Sequence, residues 1–210
     1  MKKFLILFAF IFLAAGNANA FTSTEKELLA KAQRYFDNLK TMQGGFIQLE
    51  SETSEVVRGE IYVSKPGKLL MRYAEPYQAD FYLVGGRLMV YDHELDQLNH
   101  TDADNTPFNI FLQPNFKLDS NLLLKVKAVE NQINKYTIRL EPIKLDENST
   151  KEVSLEFSKF NDEVIGFERM NDKGNKFIIT FVNVKTNEPI NEKVFVFRDP
   201  RKDRKYPTSR

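Results

Sequence analysis

Twelve short stretches of strand-forming residues, cut apart by turns and mostly apolar in both directions, dominate this 210-residue chain. They lie near residues 45–52, 56–64, 68–74, 79–84, 87–92 and 95–100, then near 124–130, 135–141, 152–159, 163–170, 175–184 and 193–197. Within each group the connections are too short for crossover helices, which excludes βαβ units and predicts an antiparallel meander. Gly85-Gly86 has the chemistry of a tight hairpin and NDKGN (171–175) that of a slightly longer one. In KPGKLLMRYAEP (65–76), Leu69, Met71 and Tyr73 point to one face and Leu70 to the other. GEIYVSK (59–65), FYLVGG (81–86) and RLMVY (87–91) are equally two-sided. A sheet with one wetted face alternates apolar with polar residues, so this sheet needs cover on both sides. A filled sandwich core under helices meets that need. So does a barrel or half-barrel that gives one face to an apolar ligand.

Two segments interrupt the strand pattern. Thr24-x-x-Glu27 has the spacing of a capping box, and Leu28, Ala32, Tyr35 or Phe36, and Leu39 follow at helical intervals, predicting an amphipathic helix that ends before Gly44-Gly45. Between 101 and 124, Pro107 and Pro114 forbid a clean strand. Thr106 as N-cap with Pro107 at the first helical position predicts a short helix whose apolar side is Phe108, Phe111 and Leu112. Asp119-Ser120 suggests a further helical turn through Leu122–Leu124. DENSTKE (146–152) reads as a polar loop, and the basic RDPRKDRKYPTSR (198–210) as a surface-draped or disordered tail.

MKK, the apolar run FLILFAFIFLAA (4–15) and Ala18-Asn19-Ala20 form a secretory leader, with cleavage expected before Phe21. The remaining 190 residues (210 less 20) suit one domain. Without Lys2 and Lys3 the 30 basic residues become 28, against 29 acidic, so there is no electrostatic case for nucleic acid. The absence of cysteine excludes disulfides and a lipid-bearing cysteine. Aromatic residues are abundant, with 18 Phe and 8 Tyr but no Trp.

Catalytic chemistry finds little support. His93 and His100 lack metal-ligand spacing, and Asp102-x-Asp104-x-Thr106 departs from a calcium loop where Pro107 occupies the glycine position. No nucleophile elbow, phosphate loop or dinucleotide fingerprint is present, so no catalytic residue, metal or cofactor is expected.

GGFIQLESE (44–52), RGEIYVSKPGKLLMRYAEP (58–76), LVGGRLMVYDHELDQL (83–98) and NTPFNIFL (105–112) together resemble the periplasmic outer-membrane lipoprotein carriers of the LolA family. The resemblance implies an incomplete, strongly curved antiparallel β-barrel, here of about 11–12 strands, with an N-terminal helix and short lid helices over its concave face. It implies a single carrier domain over 21–197 and a monomer in the periplasm that is not an enzyme. The implied partners are acylated lipoproteins, an inner-membrane ABC transporter that releases them and an outer-membrane acceptor. Candidate cavity and lid residues are Leu69, Met71, Tyr73, Phe81, Leu83, Met89, Tyr91, Phe108, Ile110, Phe111 and Leu112. A family arginine that latches the lid corresponds to Lys65 before Pro66, with Arg72 a nearby alternative. A carrier or sensor of another lipid, a small periplasmic enzyme and a filled interaction module are the competing expectations.

Overall fold

The computed structural model describes residues 21–103, 107–143 and 150–203. The leader, the expected cap Thr106, most of the polar 146–152 loop and the end of the tail from 204 lie outside the described residues. Helix α1 (Ser23–Asn38) comes first, followed by β1 (Thr41–Glu50), β2 (Glu55–Ser64), β3 (Lys68–Tyr73), β4 (Ala79–Val84), β5 (Arg87–Asp92) and β6 (Gln97–Asp102). A short helix α2 (Pro107–Leu112) then leads to β7 (Leu124–Asn131), β8 (Lys135–Pro142), β9 (Thr150–Ser158), β10 (Val164–Asn171) and β11 (Lys176–Thr186).

All eleven strands form one antiparallel sheet in the order β6-β5-β4-β3-β2-β1-β11-β10-β9-β8-β7. Two meanders are thus joined where β1 pairs with β11, from Met42 opposite Thr186 to Glu50 opposite Phe177. The two free edges, β6 and β7, are consecutive in the chain. Their connection carries α2 across the concave side, so the barrel stays incomplete and its opening is covered by the chain's own helix. The Gly85-Gly86 hairpin forms as expected, both residues at positive φ (58° and 79°), where glycine meets no steric penalty.

Helix α1 is capped one frame earlier than the sequence spacing suggested. Thr22 accepts from Glu25 N at 3.2 Å while Glu25 receives the Thr22 N–H at 2.7 Å. Two overlapping T-x-x-E frames exist, and the earlier one starts the helix two residues sooner, about half a turn. Residues 119–124 form no helix, because the Asn121 side-chain oxygen accepts from Leu123 N (2.8 Å) and Leu124 N (3.0 Å) and turns the chain into β7. The expected twelfth strand is a 3-10 helix, Glu192–Phe195, capped by Asn191. It lies on the outer face of β3, a central strand whose two edges are already paired, so no ladder is open to it.

That segment explains the two-sided strands. Leu70, Tyr82 and Met89 face outward and are covered by Ile190, Val194, Phe195 and Phe197. Leu69, Met71, Tyr73 and Leu83 face inward, into the main core. The cover is fastened by Glu192, which accepts from Lys68 Nζ at 2.7 Å and Ser64 Oγ at 2.9 Å. Those two bonds hold its carboxyl below the usual 4.5. A lowered carboxylate pKa means the fastening is complete above about pH 4.5 and is lost as pH falls through the lowered value. Glu192→Ala at neutral pH should therefore mimic acid: limited proteolysis between residues 190 and 199 should accelerate several-fold while the sheet's thermal transition hardly moves. Equal digestion of both proteins would show that apolar cover alone holds the segment.

Candidate functional site

The concave interior is built from three sources. Strands β1–β4 contribute Met42, Ile61, Val63, Leu69, Met71, Tyr73 and Leu83, all buried. The second meander contributes Leu155, Val164, Phe167 and the half-buried Phe181. Helix α1 lays Phe36 into the same space because its apolar residues recur at helical spacing, and its C-cap Leu39 follows.

Helix α2 closes this interior. Ile110, Phe111 and Leu112 are buried, and Phe108 is half-buried. Phe108 stacks on Phe167 with ring centroids 4.6 Å apart, and Phe111 stacks on Phe36 at 5.7 Å. Phe116 meets Phe36 edge-on at 5.1 Å and Phe111 at 5.3 Å. What remains between α1, α2 and the sheet is an apolar gap of about 60 Å³, lined by Tyr35, Leu39, Ile61, Leu69, Phe108 and Phe167 among others. That space suits a few water molecules at most, and its lining offers them almost no polar partner. Tyr35 turns its hydroxyl toward Met42 Sδ (3.8 Å), and burial pushes its ionisation far above the ordinary range. Among the described residues no carboxylate, histidine or lysine lines the gap. Carbon and sulfur atoms dominate this lining, with the Tyr35 hydroxyl its one side-chain oxygen among the described residues.

The structure brings most of the expected residues together on the inner face, sets two of them at a neighbouring depression and places two on the outer face. Leu69, Phe108, Phe111 and Leu112 line the gap itself, while Met71, Leu83 and Ile110 pack in the same core. Tyr73 and Phe81, 5.1 Å apart, border a separate 190 Å³ depression with Gln48, Glu50, Tyr77 and Phe177. Met89 and Tyr91 do not reach the interior. Met89 sits opposite Tyr82 under the C-terminal cover, and Tyr91 packs on Phe197 at 5.5 Å and donates to Asp96 at 2.5 Å. Their inward neighbours on β5 are Leu88 and Val90, which pair with Leu83 and Phe81.

Lys65 bonds to α1 rather than to α2. Its ammonium donates to Phe36 O at 2.8 Å, at the carbonyl end of α1, where the helix dipole favours a cation. Burial lowers its pKa, and the nearby Asp37 opposes that shift. Arg72 is no substitute, for it lies on the outer face beside Asp80 (3.3 Å). A backbone bond from Gly67 N, one residue beyond Pro66, to Leu112 O at 3.0 Å restrains the lid. Lys65→Leu should consequently loosen the end of α1, costing about 1 kcal/mol and speeding hydrogen exchange at Leu39, while leaving α2 protected. Faster exchange in α2 rather than α1 would restore the lid assignment.

The inner face of α1 and the residues from β9–β11 are the part that motif reasoning overlooks. The α1 stripe is visible in sequence, but which cavity it fills depends on the β1–β11 pairing between strands far apart in the chain, of which no local signal tells.

Compared with known proteins, residues 37–198 match the family model described as outer membrane lipoprotein carrier protein LolA. The chain belongs to the LolA family. An outer-membrane lipoprotein carrier protein of Methylococcus capsulatus is 26% identical over 208 residues, covering 95% of this chain and 96% of that one. The corresponding protein of Ralstonia nicotianae is 24% identical, covering 95% and 94%. Among solved structures, an uncharacterized conserved protein from Thermus thermophilus superposes over 88% of this chain and 95% of its own with a TM-score of 0.50 at 12% identity, a likeness of fold. The incomplete eleven-stranded barrel is thus the LolA-family architecture. Among its described residues no helix is long and apolar enough to cross a membrane.

Proposed function

We propose that this LolA-family chain is a periplasmic carrier that takes acyl chains of lipoproteins into its concave interior and moves them from the inner to the outer membrane. Residues 1–20 act as a cleaved leader, an ABC transporter in the inner membrane loads the carrier, and an outer-membrane acceptor unloads it. The reading rests on one observation: an apolar interior filled by an aromatic helix that takes no part in the strand ladder. The names of the full-length relatives support it.

The energetics explain why the interior is filled when unloaded. Burying hydrocarbon is worth about 0.8 kcal/mol per CH₂, so one long acyl chain carries on the order of 10 kcal/mol. A vacant, perfectly fitting cavity would bind and never release. Phe108, Ile110, Phe111 and Leu112 already occupy the space, and cargo must displace them. The cost of that displacement lowers net affinity into a range from which handover to a tighter acceptor runs downhill.

The test uses vesicles carrying a dipalmitoylated cysteine peptide. Added protein should bring the peptide into the supernatant as a one-to-one complex. Peptide that stays with the vesicles at saturating protein would contradict the reading, and extraction of plain phospholipid instead would reassign the carrier to another lipid.

A further inference from the structure

Outside the closed interior lies a far larger opening. Between the outer face of α1 and the edge strand β7 is a cleft of about 710 Å³, within the size range of small-molecule sites. Its floor is apolar, made by Leu29, Ala30, Leu118, Leu124 and Val126. Its rim is cationic, with Lys26, Arg34 and Lys125 against the single carboxylate of Asp119.

The sequence of α1 places these groups deliberately on one line. Lys26, Leu29, Ala30, Gln33 and Arg34 recur at i, i+3, i+4, i+7 and i+8, a second stripe distinct from the one that buries Phe36. Gln33 is spent on structure: it donates to Phe116 O at 2.9 Å and accepts from Leu118 N at 2.8 Å, fixing the cleft's far wall. The cations are not spent. Among the described residues Lys26 and Arg34 have no ion pair or side-chain hydrogen bond, and Lys125 only reaches Glu141 at 4.0 Å. β7 is a free edge of the sheet, so nothing from the sheet covers the cleft, and access needs no movement of α2.

We propose that this cleft binds an amphiphile with an anionic head, its chain on the Leu29–Leu124 floor and its carboxylate or phosphate held by Arg34 and Lys26. Guanidinium grips either oxyanion through paired donors, and the ammonium adds a point charge. Two sources share that chemistry, a free fatty acid and an acidic phospholipid, and the experiment separates them. The site is independent of the interior, since it stays open while the lid is shut.

The test is calorimetric titration of the full-length mature protein with laurate and, separately, with dihexanoyl phosphatidylglycerol, both below micelle formation, with uncharged octyl glucoside as control. At least one anion should bind at one site more tightly than octyl glucoside. Laurate alone binding assigns a fatty acid; phosphatidylglycerol alone assigns a phospholipid. The exposed-site variant Lys26→Glu/Arg34→Glu should weaken that affinity about tenfold or more, and Ala30→Trp, which fills the cleft from an exposed helix position, should abolish it. Phe108→Glu, altered only in the lid, should bind as the parent does. Absence of binding by both anions, equal affinity for octyl glucoside, or an unchanged affinity in the charge-reversed protein overturns the proposal. So does loss of binding in Phe108→Glu, which would put the anion in the interior instead.

Discussion

Phe108→Glu should abolish uptake of a diacylated peptide while leaving the protein folded. Phe108 stacks on Phe167 at 4.6 Å and lines the apolar gap, yet it is only half-buried, so a carboxylate there can turn toward water when the site is empty. Once acyl chains fill the interior, the same carboxylate must be desolvated or protonated, at a cost of several kcal/mol. The expected result is a loss of about 100-fold or more in affinity, with the thermal midpoint lowered by only about 2–4 °C for each kcal/mol of stability lost. Phe108→Leu should retain binding within a small factor. Full binding by the glutamate variant would show that α2 is structural only.

The second large effect concerns how the sheet curves. Gly59 pairs with Phe46 on β1 and Tyr73 on β3, at a point where the two strands approach so closely that a Cβ would lie 2.2 Å from Arg72 O and 2.6 Å from the Phe46 ring. Phe46 is 2% exposed and meets Tyr73 edge-on at 5.0 Å, so neither neighbour can move aside. The ring takes the place that any other residue's side chain would fill. Gly59→Ala should cost about 3 kcal/mol or more, read as a shift of the urea midpoint. Gly45→Ala is the control: the nearest atom to its added carbon is Val182 O at 3.5 Å, an ordinary contact, and about 1 kcal/mol or less is expected. Equal costs at the two positions would mean that the close approach at Gly59 relaxes freely.

How much of this is legible in sequence depends on whether the signal is local. The Gly85-Gly86 hairpin and the break at Pro107 carry their own chemistry, and both elements form as expected. Met89 and Tyr91 show the limit. With Leu88, Met89, Val90 and Tyr91 all apolar, composition does not say which pair faces inward. The hairpin does: counting across its two residues sets Leu83 against Leu88 and Tyr82 against Met89. Alternation then sends Met89 and Tyr91 outward with Leu70. The C-terminal segment misleads for a different reason. Its Val194-Phe195-Val196-Phe197 run has strand-forming residues, but Asn191 caps a 3-10 turn and the neighbouring strand has no open edge. At Lys65 the resemblance names a role but not a partner, and the flexible ammonium reaches the end of α1, at Phe36. The cleft beside β7 has no strand signature at all, and only the second stripe of α1 points to it.

The account turns on α2 being a removable filling. The most direct measurement is hydrogen exchange of the α2 amides, Asn109 to Leu112, before and after saturation with a dipalmitoylated cysteine peptide, with the β2–β3 ladder as internal reference. The account predicts that cargo accelerates exchange in α2 by at least tenfold while the ladder is unchanged or slowed, because the helix leaves the interior as the chains enter. Stoichiometric binding with α2 as protected as before would contradict it.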